Sequence, residues 1–283
     1  MLEILEEAII DSIKLLPFLF ITYLIMEYIE HKTKEKTKET IKKSGKFGPL
    51  IGSILGIFPQ CGFSVSATNL YAARVITLGT LIAVYLSTSD EMLPIFISEA
   101  VPVTTIFKIL GIKMIVGMIA GFLIDLVIRL KNKDVEEEKI VDLCEKEHCD
   151  CEHGIVKSAI KHTINIFVFI LLITLVINVA IYFIGEERIA EFLQNRPILG
   201  PALAGLIGLI PNCAASVIIT QMYLENVISA ATMISGLLVG AGVGLAVLFK
   251  SNKGIKENLK ITGILYFIGV ISGIFIELIG IYI

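Results

Sequence analysis

Ile57-Phe58-Pro59-Gln60-Cys61-Gly62-Phe63-Ser64-Val65 interrupts one apolar run of this chain, and Leu209-Ile210-Pro211-Asn212-Cys213-Ala214-Ala215-Ser216-Val217 interrupts another. The two are copies. Gly48-Pro49, Gly56, Thr68, Tyr71 and Val75-Ile76 around the first recur around the second as Gly200-Pro201, Gly208, Thr220, Tyr223 and Val227-Ile228, each 152 residues later and without a gap. Paired interruptions at corresponding points of two apolar halves point to the binding site of a membrane transporter.

Composition fixes the medium. Of 283 residues 55% are hydrophobic, mean hydropathy is +0.83 and Trp is absent, which is more apolar surface than one soluble core hides. Ala8 to Ile29, Ile164 to Ile184, Val227 to Phe249 and Ile261 to Ile283 are each long enough to cross roughly 30 Å of hydrocarbon at about 1.5 Å per residue. The expected fold class is an all-α integral membrane protein. The first span is not expected to be a cleaved signal peptide, because Met1-Leu2-Glu3-Ile4-Leu5-Glu6-Glu7 is acidic where such a peptide is basic. A formal net charge of −3 gives no reason to expect nucleic acid. Two of the five cysteines lie at the interruptions and three in one polar loop, which is no disulfide framework.

The 152-residue register extends beyond the tips. Gly111-Ile112, Gly117, Ile119, Gly121 and Ile124-Asp125-Leu126 recur as Gly263-Ile264, Gly269, Ile271, Gly273 and Ile276-Glu277-Leu278. The chain therefore divides into a first transmembrane repeat (1–130), a Cys/His-rich acidic linker (131–155) and a second repeat (156–283). Each half is expected to hold five segments: a first span, a broken or re-entrant hairpin (Gly48 to Ala73; Gly200 to Leu224), a second span (Val75 to Ile97; Val227 to Phe249) and a third (Leu110 to Ile128; Ile261 to Ile283). Whether a hairpin counts as re-entrant or as two crossings, each half crosses an odd number of times, so the repeats are expected to be inverted.

Lysine bias gives the same result. The loop after the first span holds Lys32, Lys34, Lys36, Lys38, Lys42, Lys43 and Lys46, whereas its counterpart holds Glu186, Glu187, Arg188 and Glu191. With positive loops inside, the linker is expected to be cytoplasmic, both termini outside, and the protein a multi-pass resident of the plasma membrane.

Gly48 to Phe58 spans about 16 Å as a helix, enough to reach only the bilayer centre. Pro59 and Pro211 end the arms, since proline lacks an N–H and clashes with the preceding turn. Freed backbone groups survive in lipid only where they line a cavity or bind something. Gln60, Cys61, Asn212 and Cys213, with the hydroxyls of Ser64, Ser216, Thr68 and Thr220 one or two turns along, are the candidate substrate or metal ligands. The competing reading is plain helix packing through small residues, with proline as a tolerated kink.

Ser87-Thr88-Ser89-Asp90-Glu91 lies within the second span of the first half, and its counterpart is Val239-Gly240-Ala241-Gly242-Val243. Both second spans are weakened at one depth, but one alone is charged. A mid-bilayer carboxylate costs at least about 2.5 kcal/mol, so Asp90 and Glu91 are candidates for divalent metal, for proton coupling, or for both in alternation. The apolar run Met92-Leu93-Pro94-Ile95-Phe96-Ile97 argues against an outer loop there. Asp125 and Glu277, near the ends of the third spans, fit a snorkelling or interhelical role better than ligation. Cys144, His148, Cys149, Cys151 and His153 are soft ligands in the linker, but their spacing matches no standard zinc module; a metal-capturing loop and an acidic linker with incidental thiols both fit.

Phe58-Pro59-Gln60-Cys61-Gly62, Ser89-Asp90-Glu91 with Leu93-Pro94, and Ile210-Pro211-Asn212-Cys213 resemble the manganese transporters, also called arsenic efflux proteins, of the ten-transmembrane heavy-metal exporter family. The resemblance covers both halves and implies ten membrane segments. The chain departs from the commoner Pro-Gly-Cys-Gly tip in having Gln60, Asn212 and Ala214, which adds two amide oxygens. Carboxylate and amide oxygens suit Mn²⁺, and the two thiols disfavour Mg²⁺ and Ca²⁺ while admitting Fe²⁺, Zn²⁺ or Cd²⁺. Arsenite favours three thiolates and finds two at the tips.

No Gly-x4-Gly-Lys-[Ser/Thr] phosphate loop occurs, so an ion gradient is expected to drive transport. The expected function is secondary active export of a divalent transition metal, Mn²⁺ favoured, coupled to protons through Asp90 or Glu91, by alternating access. The alternative is an efflux permease for arsenite, an organoarsenical or another organic solute. An enzyme is not expected, because neither tip supplies a nucleophile flanked by cations. No cofactor is expected; the partners are the metal substrate and the bilayer, and a homodimer is compatible with this reading.

Overall fold

The structure is a computed structural model that describes residues 9–24 (except 11, 14 and 18), 47–58, 61–131, 155–184 and 199–279. Among them the chain is helical, in the order α1 (Leu15–Leu24), α2 (Gly48–Gly56), α3 (Cys61–Ala72), α4 (Leu78–Ser87), α5 (Met92–Ser98), α6 (Val103–Lys131), α7 (Ile155–Ile184), α8 (Leu199–Gly208), α9 (Cys213–Leu224), α10 (Ala230–Val239), α11 (Val243–Ser251) and α12 (Ile255–Ile279). This is an all-α membrane architecture. Five stretches of the described residues are long and apolar enough to cross a bilayer: Leu78–Ser98, Val103–Lys131, Ala159–Ala180, Ala230–Ser251 and Ile255–Ile279. The linker thiols and histidines, the lysine-rich loop and both termini lie outside the described residues.

The repeat seen in the sequence recurs in the helices. α3 and α9, and likewise α4 and α10, begin and end at positions 152 residues apart, and α6 and α12 begin so. Local chemistry explains the shared boundaries. α3 closes with Val75 N–H donating to the Leu70 carbonyl (2.9 Å) and Arg74 N–H to that of Tyr71 (2.8 Å); α9 closes with Val227 to Met222 (2.9 Å) and Asn226 to Tyr223 (3.0 Å). Arg74 and Asn226 occupy the left-handed position of this capping motif, at φ +60° and +59°. The second spans consequently start at Leu78 and Ala230, three residues later than the hydropathy suggests. Val103, by contrast, opens the third span seven residues earlier than Leu110, because Pro102 starts the helix and accepts from the Thr105 and Ile106 amides.

Thr77 Oγ1 caps α4 by accepting from Thr80 N–H (3.1 Å), and Ser229 Oγ caps α10 by accepting from Thr232 N–H (3.2 Å). The third spans supply a carboxylate to each cap. Asp125 accepts from Thr77 Oγ1 (2.7 Å) and Gly79 N–H (2.9 Å), and Glu277 from Ser229 Oγ (2.7 Å), each placing negative charge at a helix N-terminus. Of the two roles weighed for these residues, the structure gives them the interhelical one. Asp125→Ala is expected to cost about 2 kcal/mol because the bonds are charge-assisted and partly or fully buried; Glu277→Ala, with an exposed bond, should cost clearly less. Thermal aggregation of the detergent-purified variants checks this order.

Second and third spans pack backbone to backbone: a methyl group on Gly79 would lie 2.2 Å from the Gly121 carbonyl oxygen, and one on Gly121 2.5 Å from that of Gly79. Around them, buried Leu81, Ile82, Tyr85, Ile109, Ile234, Leu238 and Leu265 form one core shared by both halves. The opposite faces are apolar and exposed, as Phe107, Ile119, Leu123, Leu130, Val168, Leu172, Val176, Phe267, Ile271 and Phe275 show. Such a surface is stable against lipid and not against water.

Candidate functional site

α2 ends at Gly56, and Ile57 and Phe58 form a terminal turn through their N–H bonds to the Ile54 and Leu55 carbonyls. Pro59 and Gln60 lie outside the described residues. Beyond them α3 starts at Cys61. The carbonyl of Ile57, freed by the interruption, accepts from Ser89 Oγ at 2.5 Å, so the second span satisfies the hairpin tip. In the other half, α8 gives way at Leu209 to Asn212 and α9 starts at Cys213. Asn212 is buried, and its amide donates to Asn178 Oδ1 on α7. The two tips meet: Cys61 Sγ lies 2.7 Å from Cys213 Sγ, and both residues are buried. Leu19 and Tyr23 of α1 and Ile166 and Ile170 of α7 pack around this pair.

Both second spans are broken helices, as their composition led us to expect. α4 stops at Ser87 and α5 begins at Met92; α10 stops at Val239 and α11 begins at Val243. Asp90 stands in the first break at φ +31° and Gly242, its equivalent, in the second at φ +53°. They face each other, since a methyl group on Gly242 would lie 2.8 Å from Asp90 Oδ2 and 3.7 Å from Cys61 Sγ. Glycine takes such a backbone easily; an aspartate there carries strain. Asp90 is 4% exposed, and its Oδ1 has no hydrogen-bond partner.

One buried cation of the first half was not among the candidate residues. Lys113 on α6 is fully buried, and its Nζ donates to the Leu237 carbonyl of α10 at 2.7 Å. Its positive charge acts on Asp90, as does the negative charge of Glu91. The sign that could have revealed it is a cation inside the apolar run Leu110 to Ile128, at a position whose repeat equivalent is Leu265. Asn178 and Tyr85 were also missed. Tyr85 OH contacts Thr68 Oγ1 (2.5 Å) and donates to the Gly244 carbonyl (3.1 Å), tying α3, α4 and α11 together.

The four hydroxyl candidates are placed alike in both halves. Ser64 and Ser216 donate to the Cys61 and Cys213 carbonyls, and Thr68 and Thr220 to those of Ser64 and Ser216. Their protons serve the first turns of α3 and α9. Among the described residues no three or more His, Cys, Asp or Glu side chains converge as a ready-made metal cage. What converges is two thiols and one strained carboxylate with a bare oxygen, and a buried ammonium is held at the Leu237 carbonyl shortly before the same break of α10.

Two further contacts join the halves. Arg74 binds Glu257 in a fork, at 2.9 and 3.2 Å, while Tyr71 OH donates to the same carboxylate. The Phe96 and Tyr223 rings are 6.2 Å apart.

A family model described as "Putative, 10TM heavy-metal exporter" matches residues 2–184, more than half of the chain. No curated protein matches the chain. No solved structure does so either.

Proposed function

The chain belongs to this family of ten-span heavy-metal exporters, and from that premise we propose that it is a secondary transporter exporting a divalent transition metal, Mn²⁺ before others, in exchange for protons. The observation that carries the proposal is the meeting of Cys61, Cys213 and Asp90 where both hairpins and both second spans are interrupted. A carboxylate with thiols selects a borderline cation over Mg²⁺ or Ca²⁺. Irregular backbone of this kind is tolerated in a membrane where it surrounds a polar site. Alternating access would come from rocking of two inverted halves about the tip pair, with the lysine-rich loops and the linker cytoplasmic and both termini outside. Asp90 and Glu91 would take up protons from outside as metal leaves.

The test is uptake of radioactive Mn²⁺ into proteoliposomes across an imposed pH gradient, with Zn²⁺, Cd²⁺ and arsenite as competitors. Gradient-dependent Mn²⁺ movement is expected. Folded protein that moves no metal under any gradient would overturn the reading. The same two thiols favour a second reading, a trivalent organoarsenical, which offers two sites to thiolates where arsenite offers three; efflux of methylarsenite without Mn²⁺ movement would select it.

Rocking requires the Arg74–Glu257 fork to open. Glu257→Gln should therefore raise the rate at which a water-soluble maleimide reaches Cys61 and Cys213, read peptide by peptide by mass spectrometry. An unchanged rate would mean that the fork does not close the path.

A further inference from the structure

Lys113 has no counterpart in the second half, belongs to no cap and stands where an apolar residue would pack as Leu265 does. Burying an ammonium in the middle of a membrane bundle is costly unless it is paired. One of its three donors goes to the Leu237 carbonyl, 2.7 Å away on the other half. The charge it acts on is Asp90, whose Oδ1 is bare. Leu237 lies five residues before Gly242, which faces Asp90 Oδ2, so the buried cation and the bare carboxylate oxygen stand at one helix break, the arrangement of a site holding a substitute for its ligand.

Resting on the transport reading above, we infer that Lys113 is the resident cation of the Asp90 site and a determinant of its selectivity: its ammonium balances Asp90 while cargo is away, and a divalent cation displaces it where a monovalent one does not. The reasoning is Coulombic. Na⁺ or K⁺ replaces one unit of charge with another, gains nothing at Asp90 and adds a cation beside a buried ammonium. A divalent ion gains about twice the attraction at the same distance and also draws in the thiols of Cys61 and Cys213. Because Lys113 is held to Leu237 on α10 while Asp90 belongs to the first half, displacement also changes a contact between the halves.

The experiment uses full-length protein in proteoliposomes, with Mn²⁺ as ligand and Na⁺ as competitor. Protection of Cys61 from maleimide, measured on its own peptide, reports binding, and Mn²⁺ flux reports turnover. Lys113→Met should lower the Mn²⁺ concentration for half-protection about tenfold, let Na⁺ compete, and lower KM and kcat together. Lys113→Arg should keep Na⁺ excluded. If Lys113→Met does not fold, the neutral pair Asp90→Asn with Lys113→Met should recover folding; a double variant that folds no better than the single one overturns the pairing. Wild-type binding of Mn²⁺ with unchanged half-protection and no Na⁺ competition in Lys113→Met overturns this inference and leaves the transport reading standing. Wild-type protein that neither binds nor moves a divalent ion removes the transport reading, and the inference with it.

Discussion

Asp90→Asn should reduce Mn²⁺ flux to that of empty liposomes while the protein still folds. Asparagine tolerates the left-handed backbone at this position nearly as well as aspartate does, and its amide occupies the same volume. The substitution thus keeps the shape and removes the charge, which also takes from Lys113 the carboxylate that acts on it. Glycine separates shape from charge further. Asp90→Gly combined with Lys113→Met relieves the strain at φ +31° and deletes both the bare Oδ1 and the buried ammonium. That double variant should be more stable than wild type, by about 2 kcal/mol, and inactive. Stability gained as function is lost is the behaviour of a strained functional residue. Thermal aggregation and flux measured on one preparation check both halves of the expectation. A double variant that still transports would show that Asp90 serves the fold.

Gly242→Ala should be almost as damaging by a different route. The added methyl would lie 2.8 Å from Asp90 Oδ2, and alanine at φ +53° is strained whatever the space. The backbone term alone costs about 1–2 kcal/mol, and the methyl moves the carboxylate away from Cys61. Flux should fall at least tenfold with a melting temperature a few degrees lower. Gly240→Ala is the control, because a methyl there meets its nearest neighbour at an ordinary 3.4 Å and should leave flux within twofold.

Much of this arrangement was legible before any coordinates. Two interruptions at one spacing placed Cys61 and Cys213 in corresponding positions, and the weak points Ser87–Glu91 and Val239–Val243 foretold both broken spans. These features are local: a proline, a run of glycines or a charge amid apolar residues acts on its own turn of helix. Lys113 was legible as an anomaly but not as a partner, because its acceptor, Leu237, is 124 residues away and contributes a backbone carbonyl, which any residue type provides. The hydroxyls show the opposite limit. Ser64 and Thr68 lie at the spacing of residues on one helical face, and that spacing fits a ligand shell and a main-chain bond inside α3 equally well; the structure shows the latter bond. The Asn212–Asn178 pair joins two elements of the second half whose relative rotation no periodicity encodes.

The facing of Asp90 and Gly242 bears on how far the two halves can be alike. Two separate copies of the first half, related by a two-fold axis in a dimer, would bring position 90 against itself, with two carboxylates sharing the space that a single one fills here. Like charges that close repel strongly in a dry interior. In a single chain the two positions are free to differ: the acid at 90 faces a glycine at 242, and Lys113 has Leu265 as its equivalent. Paired helices thus hold an unpaired charge, and in the transport reading proposed above that polarity would make the two directions of ion exit unequal.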